Sequence, residues 1–248
     1  MFDFTERTEL LIGRDALEKL ARARVLLFGL GGVGGSCGEA LVRAGIGHIT
    51  AVDGDTVSLS NINRQVLALH SNVGMLKTEA FRRRALDINP ALDIETVPEF
   101  YGRAERNSID FSGFDHIVDC IDDVPAKVAI IVRAREAGRP VITCMGAGNR
   151  FEMPVFNVID LFQTSGDPLA RAMRQALRKA GVDSGVPAVI SDTSAVRTAS
   201  PHTVASISYV PEAAGLTVAA AVIRRILLPG TGYLPKTPIC GKMNEKGE

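Results

Sequence analysis

Short apolar runs alternate with helix-spaced segments along most of the chain, the order expected of a sheet with helices laid on its faces. Residues 24–28, Arg-Val-Leu-Leu-Phe, suit a buried parallel strand. Residues 33–45 place Ala40, Leu41, Val42 and Ala44 at helix-compatible spacing, and residues 48–52 read as a second strand. Helical character returns over residues 77–88 and ends before Asn89-Pro90, where proline discourages continuation. Residues 94–97 alternate like a strand. Residues 116–120 and 140–144 are further buried strands, separated by a helix over 125–137 and a stop at Gly138. Beyond Asn149 the pattern changes to a strand over 156–160, a basic helix over 167–181, a strand over 186–191 and a long apolar helix over 214–228. Residues 191–203, polar and turn-rich, read as a loop whose mobility the sequence leaves open. No repeat or low-complexity linker divides the two halves, so residues 151–248 read as an extension of the same sheet.

Composition adds bounds to this picture. With 248 residues and 46% hydrophobic content, the chain can bury one large core. Its formal net charge is +0, so a nucleic-acid partner must be met by a local patch. No apolar stretch is long enough to span a bilayer, and Met1-Phe2-Asp3-Phe4-Thr5-Glu6 does not read as a signal peptide. The expectation is a cytoplasmic protein without membrane contact. Cys37, Cys120, Cys144 and Cys240 contain no C-x-x-C pair, which argues against a structural zinc or a disulfide framework. Cys37 and Cys120, in apolar surroundings, read as core packing.

The chemistry gathers at the strand ends. Gly29-Leu30-Gly31-Gly32-Val33-Gly34 joins the first strand to the first long helix. Small residues there let backbone N–H groups approach phosphate oxygens, and the helix N-terminus adds partial positive charge. Asp53, at the end of the second strand, is placed to accept hydrogen bonds from ribose hydroxyls. This strand, turn, helix, strand, acid order predicts a nucleotide-binding, Rossmann-like, doubly wound and mostly parallel α/β sheet. In such sheets ligands sit beyond the carboxyl ends of the strands, where Asp53, Asp55, Asp119, Asp122 and Asp123 fall. Carboxylates beside a polyphosphate repel it unless a cation intervenes, which implies Mg²⁺. Asp122 is the preferred ligand; the alternative is a capping carboxylate for the helix that begins near Pro125. Arg64 and Lys77 can supply positive charge to the β- and γ-phosphates. For Lys77 the alternative is a solvated helix face.

Together Arg7-Thr8-Glu9-Leu10-Leu11-Ile12-Gly13, the glycine turn, Asp53-Gly54-Asp55-Thr56-Val57-Ser58-Leu59-Ser60-Asn61-Ile62-Asn63-Arg64-Gln65, Gly74-Met75-Leu76-Lys77 and Asp119-Cys120-Ile121-Asp122 resemble the adenylating domain of the ubiquitin-activating-enzyme superfamily, which includes the ThiF-type enzymes. The resemblance covers about residues 1–150. It implies attack of a substrate carboxylate on the α-phosphate of ATP, giving an acyl adenylate and pyrophosphate. By motif match Asp53 would hold the ribose, Asn61, Arg64 and Lys77 the phosphates, and Asp122 the magnesium. Gly29, Gly31, Gly32, Gly34, Asp55 and Gln65 complete the implied nucleotide site. Arg7 matches an arginine that in this family reaches the partner subunit's ATP, so a homodimer is implied.

The later segments resemble one branch of that superfamily. Met145-Gly146-Ala147-Gly148-Asn149, Asp160-Leu161, Asp167-Pro168-Leu169-Ala170-Arg171 and Ser206-Ile207-Ser208-Tyr209-Val210-Pro211-Glu212-Ala213-Ala214-Gly215-Leu216 are similar to the tRNA threonylcarbamoyladenosine dehydratases. The implied reaction activates the carboxylate of threonylcarbamoyladenosine, after which its own carbamoyl group closes a ring and AMP leaves. A tethered attacking group needs no protein nucleophile. That agrees with the absence of cysteine between Cys144 and Cys240, where protein-activating relatives carry a thioester-forming residue. Phe151-Glu152-Met153-Pro154 departs from the pattern expected after Gly148-Asn149, so a monovalent cation there is left open, as is assistance by a sulfur-transfer protein. Arg171, Arg174, Arg178 and Lys179 recur at helical spacing as candidate tRNA contacts, and Arg82-Arg83-Arg84 is a second basic cluster. For both clusters the alternative is a solvated helix surface. No aromatic neighbour for base stacking is read beside Gln163, Thr164 and Ser165.

Two other functions share parts of this pattern. An activator of a ubiquitin-like sulfur-carrier protein shares the first 150 residues, but the paired zinc cysteines are missing. A nicotinamide-dependent oxidoreductase, or a non-catalytic nucleotide-binding module, shares the glycine turn but gives the Asn61 to Lys77 set no work.

Overall fold

The computed structural model describes residues 4–102, 109–193, 195, 196, 198, 204–230 and 233. Cys240 and much of the 191–203 loop lie outside the described residues. Seven strands, β1 (Arg24–Phe28), β2 (His48–Val52), β3 (Asp93–Val97), β4 (His116–Asp119), β5 (Val141–Cys144), β6 (Phe156–Asp160) and β7 (Pro187–Ser191), form one sheet. Their order is β3-β2-β1-β4-β5-β7-β6. All neighbours pair parallel except β6 with β7. The expected α/β sheet and its continuation past residue 150 are both present.

Buried parallel strands show as apolar runs because both faces are covered, as residues 25–28 of β1 do; β4 is buried throughout although His116 and Asp119 stand at its ends. Helices α2 (Arg14–Arg22), α3 (Gly32–Arg43), α4 (Lys77–Ile88) and α7 (Tyr209–Leu227) cover one face, over Leu27, Leu41, Phe81 and Val218. Helices α5 (Val124–Glu136) and α6 (Pro168–Lys179) cover the other, over Phe28, Ile130 and Met173. A short first helix, α1 (Glu6–Ile12), buries no residue.

Two features fix where ligands can go. Strand order reverses at β1, whose neighbours are β2 and β4, and this opens a crevice at the carboxyl ends of those strands. Helix α7 braces that crevice from behind. A Cβ on Gly215 of α7 would lie 2.3 Å from the Val33 carbonyl of α3, so only glycine allows so close an approach. No helix among the described residues is long and apolar enough to cross a membrane.

Candidate active site

The glycine turn takes its shape from two close approaches. Gly29 has φ +86°, a left-handed conformation suited to glycine. A Cβ on Gly34 would stand 1.8 Å from the Gly29 carbonyl oxygen, so the chain could not fold back on itself with any side chain there. Gly34 therefore packs the turn, while Gly29, Gly31 and Gly32 line the cavity in front of it. Asp53 braces the same turn: its carboxylate accepts from Leu30 N at 2.6 Å and Asp55 N at 2.8 Å. That structural role adds to the ribose contact expected for it.

A cavity of about 590 Å³ opens over the strand ends, lined by Asp53, Asp55, Asn61, Arg64, Gln65, Lys77 and Asp122. Segments far apart in the chain thus meet over one space. Asn61 is buried because its Oδ1 accepts from Ser58 N at 3.1 Å, closing a tight 3-10 turn over Leu59–Asn61. The same turn aims Arg64, whose guanidinium donates to Ser60 O at 2.7 Å and Asn63 Oδ1 at 3.0 Å. Lys77 opens α4 but is buried, with Nζ 2.8 Å from Asp55 Oδ2. It is not on a solvated helix face.

The acidic side of the cavity separates two adjacent carboxylates. Asp123 caps α5, accepting from Ala126 N at 3.0 Å. Asp122 is exposed to the cavity and has no hydrogen-bond or ion-pair partner among the described residues. The capping alternative thus belongs to Asp123, and Asp122 is left free to meet a ligand. A free carboxylate is a hard oxygen donor of the kind Mg²⁺ takes alongside phosphate oxygens.

Cys120 and Cys144 also reach the cavity, but neither is a ready nucleophile. The neighbouring Cys37 thiol and then burial push the Cys120 thiol up, and burial pushes Cys144 up. Both stay protonated near neutrality.

Arg7, like the turn-packing Gly34, is an expected site residue outside the cavity lining. It sits exposed on α1, outside the cavity lining and without a partner among the described residues. Of the basic clusters, Arg171 and Lys179 are exposed, Arg174 donates to Thr164 Oγ1, and Arg178 lies over the Phe162 ring at 5.4 Å. An aromatic side chain therefore does stand beside the 163–165 segment, which corrects the reading that none was available. Arg83 and Arg84 are paired with Glu79 and Glu39, leaving Arg82 as the exposed, unpaired member among the described residues.

Lys127 and Arg150 are buried cations that the sequence does not mark as such. Lys127 on α5 is paired with Asp119 at 2.9 Å, both side chains fully buried. Arg150 pairs with Asp167 at 3.5 Å and donates to the Gly146 and Thr193 carbonyls in the loop where a monovalent cation was left open. Aspartates at positions 119 and 167 were visible in sequence, but a lysine or arginine inside a helix or loop reads as solvent-facing until the tertiary packing is known.

The same architecture occurs in characterised proteins. The model of the ThiF family matches residues 5–245. The tRNA threonylcarbamoyladenosine dehydratase of Bacillus subtilis is 36% identical over 190 residues, covering 77% of this chain and 75% of that protein. Its Escherichia coli namesake is 38% identical over 171 residues, covering 69% of this chain and 64% of that one. The chain thus matches just under two thirds of the latter's length. The crystal structure of the Escherichia coli tRNA N6-threonylcarbamoyladenosine dehydratase in complex with ATP superposes with a TM-score of 0.82 at 33% identity, covering 89% of this chain and 92% of that one. With the family match over residues 5–245 and these relatives, the chain belongs to the ThiF family.

Proposed function

We propose that this protein, as a single adenylating domain over residues 1–248, uses ATP to dehydrate threonylcarbamoyladenosine in tRNA. The observation that supports this most is the convergence of Asn61, Arg64, Gln65, Lys77 and Asp122 with the glycine turn on one cavity. Hydride transfer would need no such set, whereas displacement at the α-phosphate of ATP needs charge and donors around a leaving pyrophosphate.

The chain's own groups divide the work. Backbone N–H groups at the start of α3 face the phosphates, and Asp53 meets the ribose. Arg64 and Lys77 neutralise charge that builds on the pyrophosphate as the threonyl carboxylate attacks phosphorus and the α–β phosphate bond breaks. Asp122 would hold a Mg²⁺ ion, which would supply further neutralisation of the charge on the leaving pyrophosphate. The carbamoyl nitrogen then attacks the activated carbonyl carbon, its proton passes to solvent, and AMP departs with the oxygen once held by the carboxylate. Raised thiol pKa values at Cys120 and Cys144 fit a route without a covalent enzyme intermediate.

Exposed Arg7 beside Leu10 and Leu11, 82% and 77% exposed, fits an α1 that packs on a second copy and delivers Arg7 to the partner's cavity. Mixing Arg7→Ala and Lys77→Ala proteins should then restore about a quarter of wild-type turnover through hybrid dimers; no recovery counts against the shared site. Helix α6 begins at the cavity, where Leu169 lines it, and carries Arg171 and Arg178 outward as phosphate contacts for tRNA.

The reading is tested by following pyrophosphate release with ATP and two tRNA preparations. Release is expected with tRNA carrying threonylcarbamoyladenosine and not with the same tRNA lacking that modification. Equal release from both would overturn the assignment.

A further inference from the structure

We propose that Lys127 is a positioning residue of the cavity, whose buried ammonium ties the Asp122 loop after β4 to the lining segment 145–148 after the neighbouring β5. This rests on the reading of the cavity as an adenylation site. Lys127 Nζ stands 2.9 Å from Asp119 Oδ2 and donates to Ile121 O at 2.9 Å and Cys144 O at 3.0 Å. An ammonium has three N–H donors, and here each has an acceptor.

The arrangement is costly, since an apolar side chain would fill the same space without desolvating a charge. What an apolar side chain cannot do is draw two carbonyls from different strand ends to one point. Ile121 immediately precedes Asp122, and Cys144 immediately precedes Met145, whose N–H bonds Val189 O at 2.9 Å. Ile121, Asp122, Met145 and Gly146 all line the cavity. Asp119 strengthens the tie by accepting from Thr143 Oγ1 at 2.6 Å and Ile121 N at 3.3 Å, which links β4 to β5 beneath the loops. Neither Lys127 nor Asp119 is exposed, so neither can touch the substrate; they act through the residues that do.

Lys127→Met alone strands a buried carboxylate, so the decisive variant is Lys127→Met with Asp119→Asn, which removes both charges and keeps the polar links to Thr143 and Ile121. Calorimetry with a non-hydrolysable ATP analogue is expected to show metal-free affinity within about 3-fold of wild type and loss of the Mg²⁺-dependent gain. With modified tRNA, kcat is expected to fall about 100-fold with little change in KM for ATP, as misplacement by about 1 Å would produce. Adding Asp122→Asn to this variant should cost little more, because both changes remove the same placement. A folded double variant with wild-type Mg²⁺ dependence and kcat, or full additivity with Asp122→Asn, overturns the proposal. If the double variant does not fold, Thr143→Val takes its place with an expected loss of about 10-fold in kcat, and wild-type behaviour there overturns it equally. Wild-type protein measured alongside keeps the two levels apart: failure of wild type to bind the analogue or release pyrophosphate defeats the adenylation reading, not the role of Lys127 within a working site.

Discussion

Lys77 and Asp55 form an ion pair across 2.8 Å at the cavity, with the lysine side chain 7% exposed and the aspartate 52% exposed. The asymmetry decides what each partner does. A buried ammonium is held in place and aimed, while the exposed carboxylate can be solvated when phosphate takes its place. Lys77→Ala leaves Asp55 in water and the fold unstrained, so its melting temperature should stay close to that of wild type. Turnover should fall about 100- to 1000-fold, the scale set by removing one preorganised charge from a transition state. Steady-state kinetics together with a thermal melt check both halves of this expectation.

Asp122 and Asp123, adjacent in sequence, should separate function from stability. Asp123 accepts from Ala126 N and caps α5, so Asp123→Ala should cost about 1 kcal/mol of stability. Asp122 has no partner among the described residues, so Asp122→Asn should leave stability within about 0.5 kcal/mol and remove the Mg²⁺ dependence of ATP binding. Chemical denaturation and calorimetry on the two variants distinguish the cases. Strong destabilisation by Asp122→Asn would make that carboxylate structural.

The glycines of the turn are equally separable. Gly34→Ala places a Cβ 1.8 Å from the Gly29 carbonyl and should prevent formation of the native turn, seen as a large loss of soluble, cooperatively melting protein. Around Gly31 the nearest atom to an added Cβ is Gln65 Nε2 at 3.9 Å, so Gly31→Ala should fold. Its methyl group would enter the cavity lining where phosphate is proposed to bind, so ATP affinity should drop while the melt is preserved.

Much of this arrangement is legible in the sequence. Parallel strands buried on both faces leave apolar runs, so β1 and β2 fall at the residues expected; the antiparallel edge strand β6 also does, over Phe156–Asp160, and the acid-ended strands point to the rim. The start of α7 was placed at residue 214, whereas the helix begins at Tyr209. Pro211 reads as a barrier, yet within the first turn its missing N–H costs nothing. Helices α1 and α2 were missed because they bury little, only Ala16 and Leu20 between them. Lys127 and Arg150 were invisible for another reason: a cation's burial depends on acceptors brought from remote strands, and local pattern holds no record of them.

Acid sensitivity has an identifiable source at the far end of the sheet. His116 is fully buried at the start of β4, hydrogen bonded through its ring nitrogens to Ile117 O and Tyr233 Oη, each at 3.1 Å. Burial, aided by the charge of Arg225, lowers its pKa to about 4. An unfolded histidine takes up a proton near pH 6.5, and the folded one does not until about pH 4. Its contribution is therefore complete above pH 6.5 and is lost as pH falls between those two values, by up to about 3 kcal/mol. His116→Asn should flatten that part of the stability profile measured by denaturant titration from pH 7 to about pH 4. An unchanged slope would place the acid sensitivity elsewhere.

In the proposed reaction the cavity converts the threonyl carboxylate into an acyl adenylate, from which AMP leaves as the nucleoside closes on itself. Purified protein incubated with ATP, Mg²⁺ and tRNA bearing threonylcarbamoyladenosine, followed by digestion and mass measurement of the nucleosides, reads this outcome directly. Threonylcarbamoyladenosine is expected to lose the mass of one water as an equal amount of AMP forms. ATP consumed with the modified nucleoside left at its original mass would contradict it.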